Sequence, residues 1–288
     1  MSAFPTRVAV IGAGTMGAGI AQAAATAGWA TTLTDSRPEA LQDAVDRISR
    51  TLDGAVQRGK LDAAGRDAIL GRLRTVSGIR EACEGADLVV EAVLEDLDVK
   101  RDVMSQASDW ALPSALLATN TSSISIADIA ADLPRPERLI GMHFFNPVHL
   151  MKLVEIVTHD ATDDAARADA LAVVQAMGKE PIVVRDSPGF ASSRLGIALG
   201  LEAMRMLEEG VGSAADIDRA MELGYNHPMG PLKLTDLVGL DVRLRIADYL
   251  HQALGAERFA PPAILRRLVA EGKLGKKSGH GFYDWSEP

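Results

Sequence analysis

Residues 8–30, with the sequence VAVIGAGTMGAGIAQAAATAGWA, contain no charged side chain and decide the fold of the N-terminal half. A signal peptide or a membrane-spanning helix would also be uncharged, and spanning a bilayer takes about 20 apolar residues. Glycine, however, occupies positions 12, 14, 17, 19 and 28, and each glycine inside a helix costs roughly 1 kcal/mol relative to alanine. The stretch therefore disfavours both membrane interpretations, and we expect no membrane partner.

The same stretch divides into a strand, a turn and a helix. Residues 7–11 are mostly β-branched or small, as in a buried parallel strand, and residues 15–27 are rich in alanine. The spacing G-x-G-x-x-G between them allows a tight turn, close approach of a pyrophosphate and close packing of helix on strand. The N-terminus of the helix would then bind the phosphates of a dinucleotide. The predicted phosphate-binding residues are Gly12, Gly14, Thr15, Met16 and Gly17.

Asp35 follows a second predicted strand at residues 30–34. An acid at this place in a dinucleotide-binding fold accepts hydrogen bonds from the adenosine ribose hydroxyls, and it repels the 2′-phosphate of NADP. Arg37 lies two residues later and could instead accommodate that phosphate. The sequence predicts NAD as the cofactor, with Asp35 at its ribose.

Composition limits the class of protein. A chain of 288 residues with 47% hydrophobic and 24% charged residues is typical of a globular protein with two domains. A formal net charge of −9 argues against nucleic acid as a partner. The single cysteine, Cys83, excludes an internal disulfide and a C-x-x-C metal site, and it favours a cytoplasmic location.

Strand and helix patterns alternate as far as residue 185, and only helical patterns follow. This predicts an α/β fold in which a Rossmann-like, doubly wound sheet (residues 1–187) precedes an all-α domain (residues 188–288) for substrate binding and dimerisation. Helices are expected at residues 38–58, 63–73, 99–110 and 165–177, and further strands at 87–93, 116–120, 139–145, 152–158 and 181–185.

The reaction chemistry is expected in residues 142–157, MHFFNPVHLMKLVEIV. Two apolar strands flank Asn146-Pro147, and an antiparallel hairpin centred near His149 would place His143 opposite Glu155. A carboxylate there would fix the imidazole tautomer and stabilise the imidazolium, as a general base for alcohol oxidation requires. The alternative is a structural histidine with a surface glutamate across from it.

Other chemistries find no matching motif. The sequence contains no G-x-S-x-G, no H-E-x-x-H and no G-x-x-x-x-G-K followed by Ser or Thr. The remaining histidines have no ligand-like spacing, so we expect ordinary surface or loop histidines and no metal site.

Seven motifs together resemble the 3-hydroxyacyl-CoA dehydrogenase family over nearly the whole chain. They are GAGTMGAGIA, VVEAVLEDLDVK, ATNTSS, GMHFFNPVHLMKLVEIV, DSPGF, NHPMGPLKLTDLVGLD and LGKKSGHGFYDW. The resemblance is strongest to the short bacterial 3-hydroxybutyryl-CoA dehydrogenases. It implies an NAD-dependent homodimer that interconverts (S)-3-hydroxyacyl-CoA and 3-oxoacyl-CoA, with an acyl-CoA substrate of short chain length.

The resemblance also assigns roles to residues around the reaction centre. His143 and Glu155 match the family's catalytic pair. Asn120 and Ser122 would lie beside the nicotinamide and the substrate hydroxyl, with Ser122 holding the reacting oxygen. By the same resemblance, Glu95 and Lys100 line the cofactor site, and Asn146 contacts the nicotinamide side.

For the substrate, Thr51 and Arg58 match positions that hold the nucleotide end of CoA, with Arg50 and Lys60 as neighbouring candidates. Ser193 stands where many members of the family carry a substrate-facing asparagine, which puts the acyl preference in question.

Two alternatives remain open at this point. A related dehydrogenase of a polar acid such as gulonate, or of carnitine, would need the same base and no CoA contacts. A non-catalytic NAD-binding protein would not need the His143 and Glu155 pair. The acyl chain length, the direction of flux and the pathway also stay open.

Overall fold

The computed structural model describes residues 5–286, and the chain forms two compact units that meet in sequence at Ser187 and Pro188. Within the described residues, every strand of a sheet lies in the first unit, and the second unit is built from helices. The predicted fold class, a Rossmann-like domain followed by a helical domain, is therefore confirmed.

The first unit is a single eight-stranded sheet with helices. Its strands are β1 (Arg7–Ile11), β2 (Ala30–Thr34), β3 (Leu73–Val76), β4 (Leu88–Glu91), β5 (Leu116–Thr119), β6 (Leu139–Phe144), β7 (Leu153–Thr158) and β8 (Glu180–Arg185). Its helices are α1 (Thr15–Thr26), α2 (Pro38–Gln57), α3 (Ala63–Leu70), α4 (Ile79–Cys83), α5 (Leu97–Trp110), α6 (Ile126–Ala130) and α7 (Asp164–Ala176).

The strand order is β3-β2-β1-β4-β5-β6-β7-β8, and each neighbouring pair is parallel except β6 and β7. Strands β1 to β6 therefore end at one edge of the sheet, where ligands bind in open α/β folds. The antiparallel β7 returns across the sheet from that edge. The residues that follow β1, β2, β4 and β5 therefore lie at the same edge as the turn between β6 and β7.

The core of this unit forms because the central strands are apolar on both faces. Strands β4 and β5 are buried along their whole length, as expected for parallel strands covered by helices. Helix α1 packs closely because alanines line its buried side, among them Ala18, Ala21 and Ala25.

One boundary expected from the sequence is wrong. The helix predicted at residues 63–73 ends at Leu70, and residues 73–76 form the edge strand β3, which pairs with β2. The strand has only four residues, and Arg74 and Thr75 are exposed, so it carries too little apolar alternation to be recognised. Strand β4 is also shorter than predicted, because the chain leaves the sheet after Glu91.

The second unit contains α8 (Ser192–Glu208), α9 (Ala214–Tyr225), α10 (Pro231–Val238), α11 (Leu240–Leu254) and α12 (Ala263–Ala270). The motif LGKKSGHGFYDW (residues 274–285) packs around the fully buried Asp236. Asp236 accepts hydrogen bonds from the amides of Phe282 and Tyr283 and from Trp285 Nε1. A Cβ on Gly281 would lie 2.2 Å from the Asp236 carboxylate, so only glycine fits. This motif therefore secures the helical unit.

None of the helices in residues 5–286 combines the length and the apolar character needed to cross a bilayer.

Candidate active site

The glycine-rich loop after β1 has the shape that a pyrophosphate needs. Gly12 has φ +103°, and a Cβ on it would lie 2.5 Å from the carbonyl oxygen of Ala92. A Cβ on Gly17 would lie 1.7 Å from the Gly12 oxygen, whereas a Cβ on Gly14 would meet nothing within 4 Å. The first and third glycines therefore shape the turn, and the second leaves open space at the N-terminus of α1, which has no side-chain cap.

Asp35, at the end of β2, is tied to this loop. Its Oδ2 accepts a hydrogen bond from the Ala13 amide at 2.8 Å, and its Oδ1 accepts one from the Arg37 amide at 2.9 Å. Arg37 Nε lies 3.6 Å from the same carboxylate. The hydrogen bond from Ala13 therefore holds the Asp35 carboxylate against the glycine-rich loop.

A cavity of about 870 Å³ opens beside Gly14 and Asp35. Its volume suits a large part of a dinucleotide. Sequence reasoning missed much of the lining, and two signals could have found it: Ser77 follows the overlooked β3, and Asp102 and Gln106 are four residues apart on α5. The missed lining residues are Ile11, Thr34, Ser36, Ser77, Ile79, Ala92, Val93, Leu94, Val99, Asp102, Val103 and Gln106.

A buried ion network lies where β4 ends. Lys100 is only 1% exposed, and its Nζ lies 2.7 Å from Glu91 Oε1 and 3.3 Å from Glu95 Oε2. Glu91 is fully buried and also accepts a hydrogen bond from Thr119 Oγ1 at 2.7 Å. Lys100 is thus enclosed by protein, and neither Lys100 nor Glu95, both expected to line the cofactor site, is among the residues that line this cavity.

Glu95 in turn holds the loop after β5. Its Oε1 accepts hydrogen bonds from Thr121 Oγ1 at 2.6 Å, from the Ser122 amide at 2.9 Å and from the Ser123 amide at 3.2 Å. Burial raises the pKa of Glu95, but Lys100 and these hydrogen bonds outweigh burial and lower it overall. An ionised Glu95 therefore orders the backbone that carries Ser122.

Asn120 links the ends of two neighbouring strands. It directly follows β5, and its Oδ1 accepts a hydrogen bond from the Phe144 amide at the end of β6 at 2.9 Å. The loop that carries Ser122 is thereby held beside the end of the strand that carries His143.

His143 and Glu155 lie opposite each other in the antiparallel pair of β6 and β7, as the hairpin prediction required. His143 Nδ1 lies 2.7 Å from Glu155 Oε2, and the imidazole also contacts the Phe145 ring at a centroid distance of 4.5 Å. Glu155 is 0% exposed, so the alternative in which it is a surface residue is wrong. The buried carboxylate fixes the imidazole in one orientation, with Nδ1 as its contact.

The turn between β6 and β7 is held by a buried cation. Lys179 Nζ donates hydrogen bonds to the carbonyls of Val148 at 2.5 Å and Met151 at 2.8 Å. Asn146, which the family resemblance places at the nicotinamide, is joined to Pro147 by a cis peptide bond in this turn. Burial lowers the pKa of Lys179, since desolvation disfavours its charged form.

The predicted CoA residues lie at the C-terminal end of α2. Burial lowers the pKa of His149, and the positive charges of Arg58 and Lys179 lower it further. Thr51 Oγ1 donates to the Arg47 carbonyl at 2.9 Å. Arg50 Nε donates to the Asp46 carbonyl at 3.2 Å, and Lys60 is exposed. The charge of Arg58 therefore acts on His149, which lies in the turn between β6 and β7.

Ser193 and the single cysteine, Cys83, are the remaining residues that the sequence singled out. Ser193 is the second residue of α8 and is half-buried. Burial raises the pKa of the Cys83 thiol to about 12, so this cysteine is not a nucleophile near neutral pH.

The glycine loop, the acid after β2 and the buried histidine and glutamate pair define an NAD-dependent dehydrogenase of the Rossmann type. Comparison with models of known protein families identifies the family within this class. The model of the 3-hydroxyacyl-CoA dehydrogenase NAD binding domain matches residues 7–187, and the model of the C-terminal domain matches residues 189–285. The chain belongs to the 3-hydroxyacyl-CoA dehydrogenase family, which confirms the resemblance and the NAD cofactor.

Named relatives agree with the family models. A probable 3-hydroxybutyryl-CoA dehydrogenase of Bacillus subtilis is 42% identical over 98% of both chains. A 3-hydroxyadipyl-CoA dehydrogenase of Escherichia coli is 46% identical over 96% of this chain and 58% of its own length. The crystal structure of (S)-3-hydroxybutyryl-CoA dehydrogenase from Ralstonia eutropha is 38% identical, with a TM-score of 0.94 over 98% of this chain and 99% of that one.

Proposed function

We propose that this enzyme interconverts (S)-3-hydroxyacyl-CoA and 3-oxoacyl-CoA of short chain length, such as 3-hydroxybutyryl-CoA. The observation that carries the mechanism is the contact of 2.7 Å between His143 Nδ1 and the fully buried Glu155. An imidazole oriented by a buried carboxylate is suited to accept a proton from an alcohol as the carbonyl forms.

In the direction of oxidation, His143 accepts the proton of the substrate hydroxyl through Nε2, because Nδ1 is committed to Glu155. Glu155 stabilises the imidazolium that results. Bound NAD supplies the acceptor for the hydride that leaves C3. Ser122 holds the reacting oxygen, and Glu95 keeps the Ser122 amide and hydroxyl in place.

CoA recognition is assigned to the end of α2, and the acyl group to Ser193. A protein with a net charge of −9 repels the phosphates of CoA at long range, so binding needs local cations. Arg58, which is exposed at the C-terminal end of α2, meets that need. Thr51 lies seven residues earlier on the same helix and adds a hydroxyl that can still accept a hydrogen bond.

Asp35 is proposed to select NAD over NADP. Its carboxylate would face the 2′-phosphate of NADP directly, and Arg37, the residue that could compensate, is already paired with Asp35.

A homodimer in the cytoplasm is proposed as the working state. Helix α10 exposes Leu234, Leu237 and Val238, each between 40% and 41%, and these positions share one helix face. The end of α9 exposes Leu223 and Tyr225 as well. Apolar side chains exposed in this concentration favour burial against a second copy.

The test is an NADH oxidation assay with three substrates side by side: acetoacetyl-CoA, a longer 3-oxoacyl-CoA and free acetoacetate. We expect kcat/KM for acetoacetyl-CoA to exceed that for free acetoacetate by orders of magnitude. Equal values would instead support a dehydrogenase of polar acids. A protein that binds NADH and turns over none of these substrates would support a non-catalytic role.

A further inference from the structure

The cavity beside the glycine-rich loop extends beyond Asp35, towards the end of β3. Its lining includes Ser77, which directly follows β3, and Ile79, the first residue of α4. In the strand order β3-β2-β1-β4-β5-β6, the glycine-rich loop follows β1, and β3 lies on the opposite side of it from β6, which carries His143. The nicotinamide of NAD must reach the reacting groups at β6, so the adenosine half is expected on the side of β2 and β3.

This part of the cavity suits a flat aromatic base. Ile79, Val99 and Val103 line it with apolar side chains. Val99 and Val103 are one turn apart on α5, and Val99 is 40% exposed although it is apolar. Apolar walls can cover the two faces of an adenine ring, whereas its polar edge needs hydrogen-bond partners.

Two polar side chains of α5 line the same cavity, Asp102 and Gln106, and they are also one turn apart. Gln106 Nε2 donates a hydrogen bond to Asp102 Oδ2 at 2.8 Å. Because a carboxylate only accepts, this contact fixes the orientation of the Gln106 amide and leaves its Oε1 as an acceptor. Asp102 Oδ1 is a second acceptor. The pair therefore offers oxygens to a ligand and keeps its amide donor for its own contact.

We infer that Asp102 and Gln106 select the base of the cofactor by accepting hydrogen bonds from the 6-amino group of adenine. The inference needs NAD to bind and does not depend on the acyl-CoA substrate proposed above. Hypoxanthine has a carbonyl oxygen in place of this amino group and a hydrogen on N1. Its carbonyl oxygen would face the two acceptors, and a group that only accepts cannot pair with them. The enzyme should therefore discriminate against a dinucleotide that carries hypoxanthine.

The experiment measures dissociation constants of the full chain for NADH and for reduced nicotinamide hypoxanthine dinucleotide. Both contain the fluorescent dihydronicotinamide, so one fluorescence titration serves for both. We expect the unmodified enzyme to bind NADH about 5- to 10-fold more tightly. The contact gains from the charge of the Asp102 acceptor, but both side chains are exposed, which limits its contribution.

Asp102→Asn is the decisive variant, because asparagine has nearly the same size and adds an amide that can donate to the hypoxanthine carbonyl. The preference for NADH should vanish or reverse. Gln106→Met removes the second acceptor and should weaken the binding of NADH more than that of the hypoxanthine dinucleotide. The matched control is Asp109→Asn, which changes an exposed acid of the same helix outside the cavity lining and should keep the preference.

Three results would overturn the inference. Equal dissociation constants for the two dinucleotides in the unmodified enzyme would show that the base is not selected. An equal weakening of both in Asp102→Asn would mean that the carboxylate does not contact the 6-position, and the same change of preference in Asp109→Asn would point to the charge of the helix as a whole. Since the titration uses no acyl substrate, absence of turnover with every 3-oxoacyl-CoA would remove the proposed function and leave this inference standing.

Discussion

Two buried pairs in the sheet domain have nearly the same geometry and different chemistry. His143 with Glu155 and Lys100 with Glu91 both have a nitrogen to oxygen distance of 2.7 Å, and both carboxylates are 0% exposed. The imidazole has a second ring nitrogen, Nε2, that can take up a proton while Nδ1 contacts Glu155, whereas the Lys100 ammonium is enclosed by Glu91 and Glu95. The first pair can therefore move a proton, and the second can hold a loop in place.

The surroundings support this division. Lys100 also contacts Glu95, which accepts hydrogen bonds from the amides of Ser122 and Ser123. The lysine pair is therefore connected to the backbone of the loop after β5. The histidine pair lies between two strands at the edge where β6 ends. Three substitutions in these pairs test the comparison, and a fourth, at the exposed Arg58, is expected to have the smallest effect.

The largest effect is expected for His143→Gln, which removes the proposed base. Because a positioned general base contributes about 10²- to 10⁴-fold, kcat with acetoacetyl-CoA should fall by that factor. Binding of NADH, measured by fluorescence titration, should be retained. Turnover close to that of the unmodified enzyme would show that His143 is not the base.

The main effect of Lys100→Met should be a lower stability of the folded protein. It leaves Glu91 buried without its cation, which typically costs about 3 to 5 kcal/mol. Denaturant unfolding should show a lower midpoint. The matched double variant, Glu91→Gln with Lys100→Met, removes both charges and should regain part of the loss. A midpoint for Lys100→Met equal to that of the unmodified protein would mean that the pair is not a structural ion network.

Glu155→Gln keeps the imidazole and removes the charge beside it. The rate near neutral pH should fall by about 10- to 100-fold, since a hydrogen bond to a charged group is lost. The pH profile of kcat should also move, because the imidazolium has lost its carboxylate. An unchanged profile would separate Glu155 from the chemistry.

Arg58→Ala should have the smallest effect. An exposed contact to phosphate contributes little, so KM for acetoacetyl-CoA should rise by about 2- to 5-fold with kcat retained. Added salt should reduce the difference. The control is a substrate truncated at pantetheine, whose KM should be the same for Arg58→Ala and for the unmodified enzyme. If the truncated substrate is also affected, Arg58 does not contact the nucleotide end of CoA.

Much of the sheet domain could be predicted because its signals are periodic or depend on glycine. The glycine loop lies between a β-branched strand and an alanine-rich helix, and the pairing of His143 with Glu155 follows from counting outward from the turn. Strand β3 could not be predicted, because four residues with an exposed centre resemble a loop.

The sequence does not allow a prediction of which charged side chains are buried. Arg243 and Arg245 stand two residues apart in LDVRLRIADYL, and no local pattern distinguishes them, yet one is buried and the other pairs with Asp241 at the surface. Burial of Lys100 and Lys179 likewise depends on carboxylates and carbonyls from distant elements.

The most direct test of the central claim, that His143 and Glu155 act as one unit, is a double-substitution cycle on kcat. His143→Gln, Glu155→Gln and the double variant are compared with the unmodified enzyme under identical conditions. If Glu155 acts only through His143, the double variant should be no slower than His143→Gln alone, because residues that act as a unit are non-additive. A double variant slowed by the product of the two single effects would show that the residues act independently and would contradict the account.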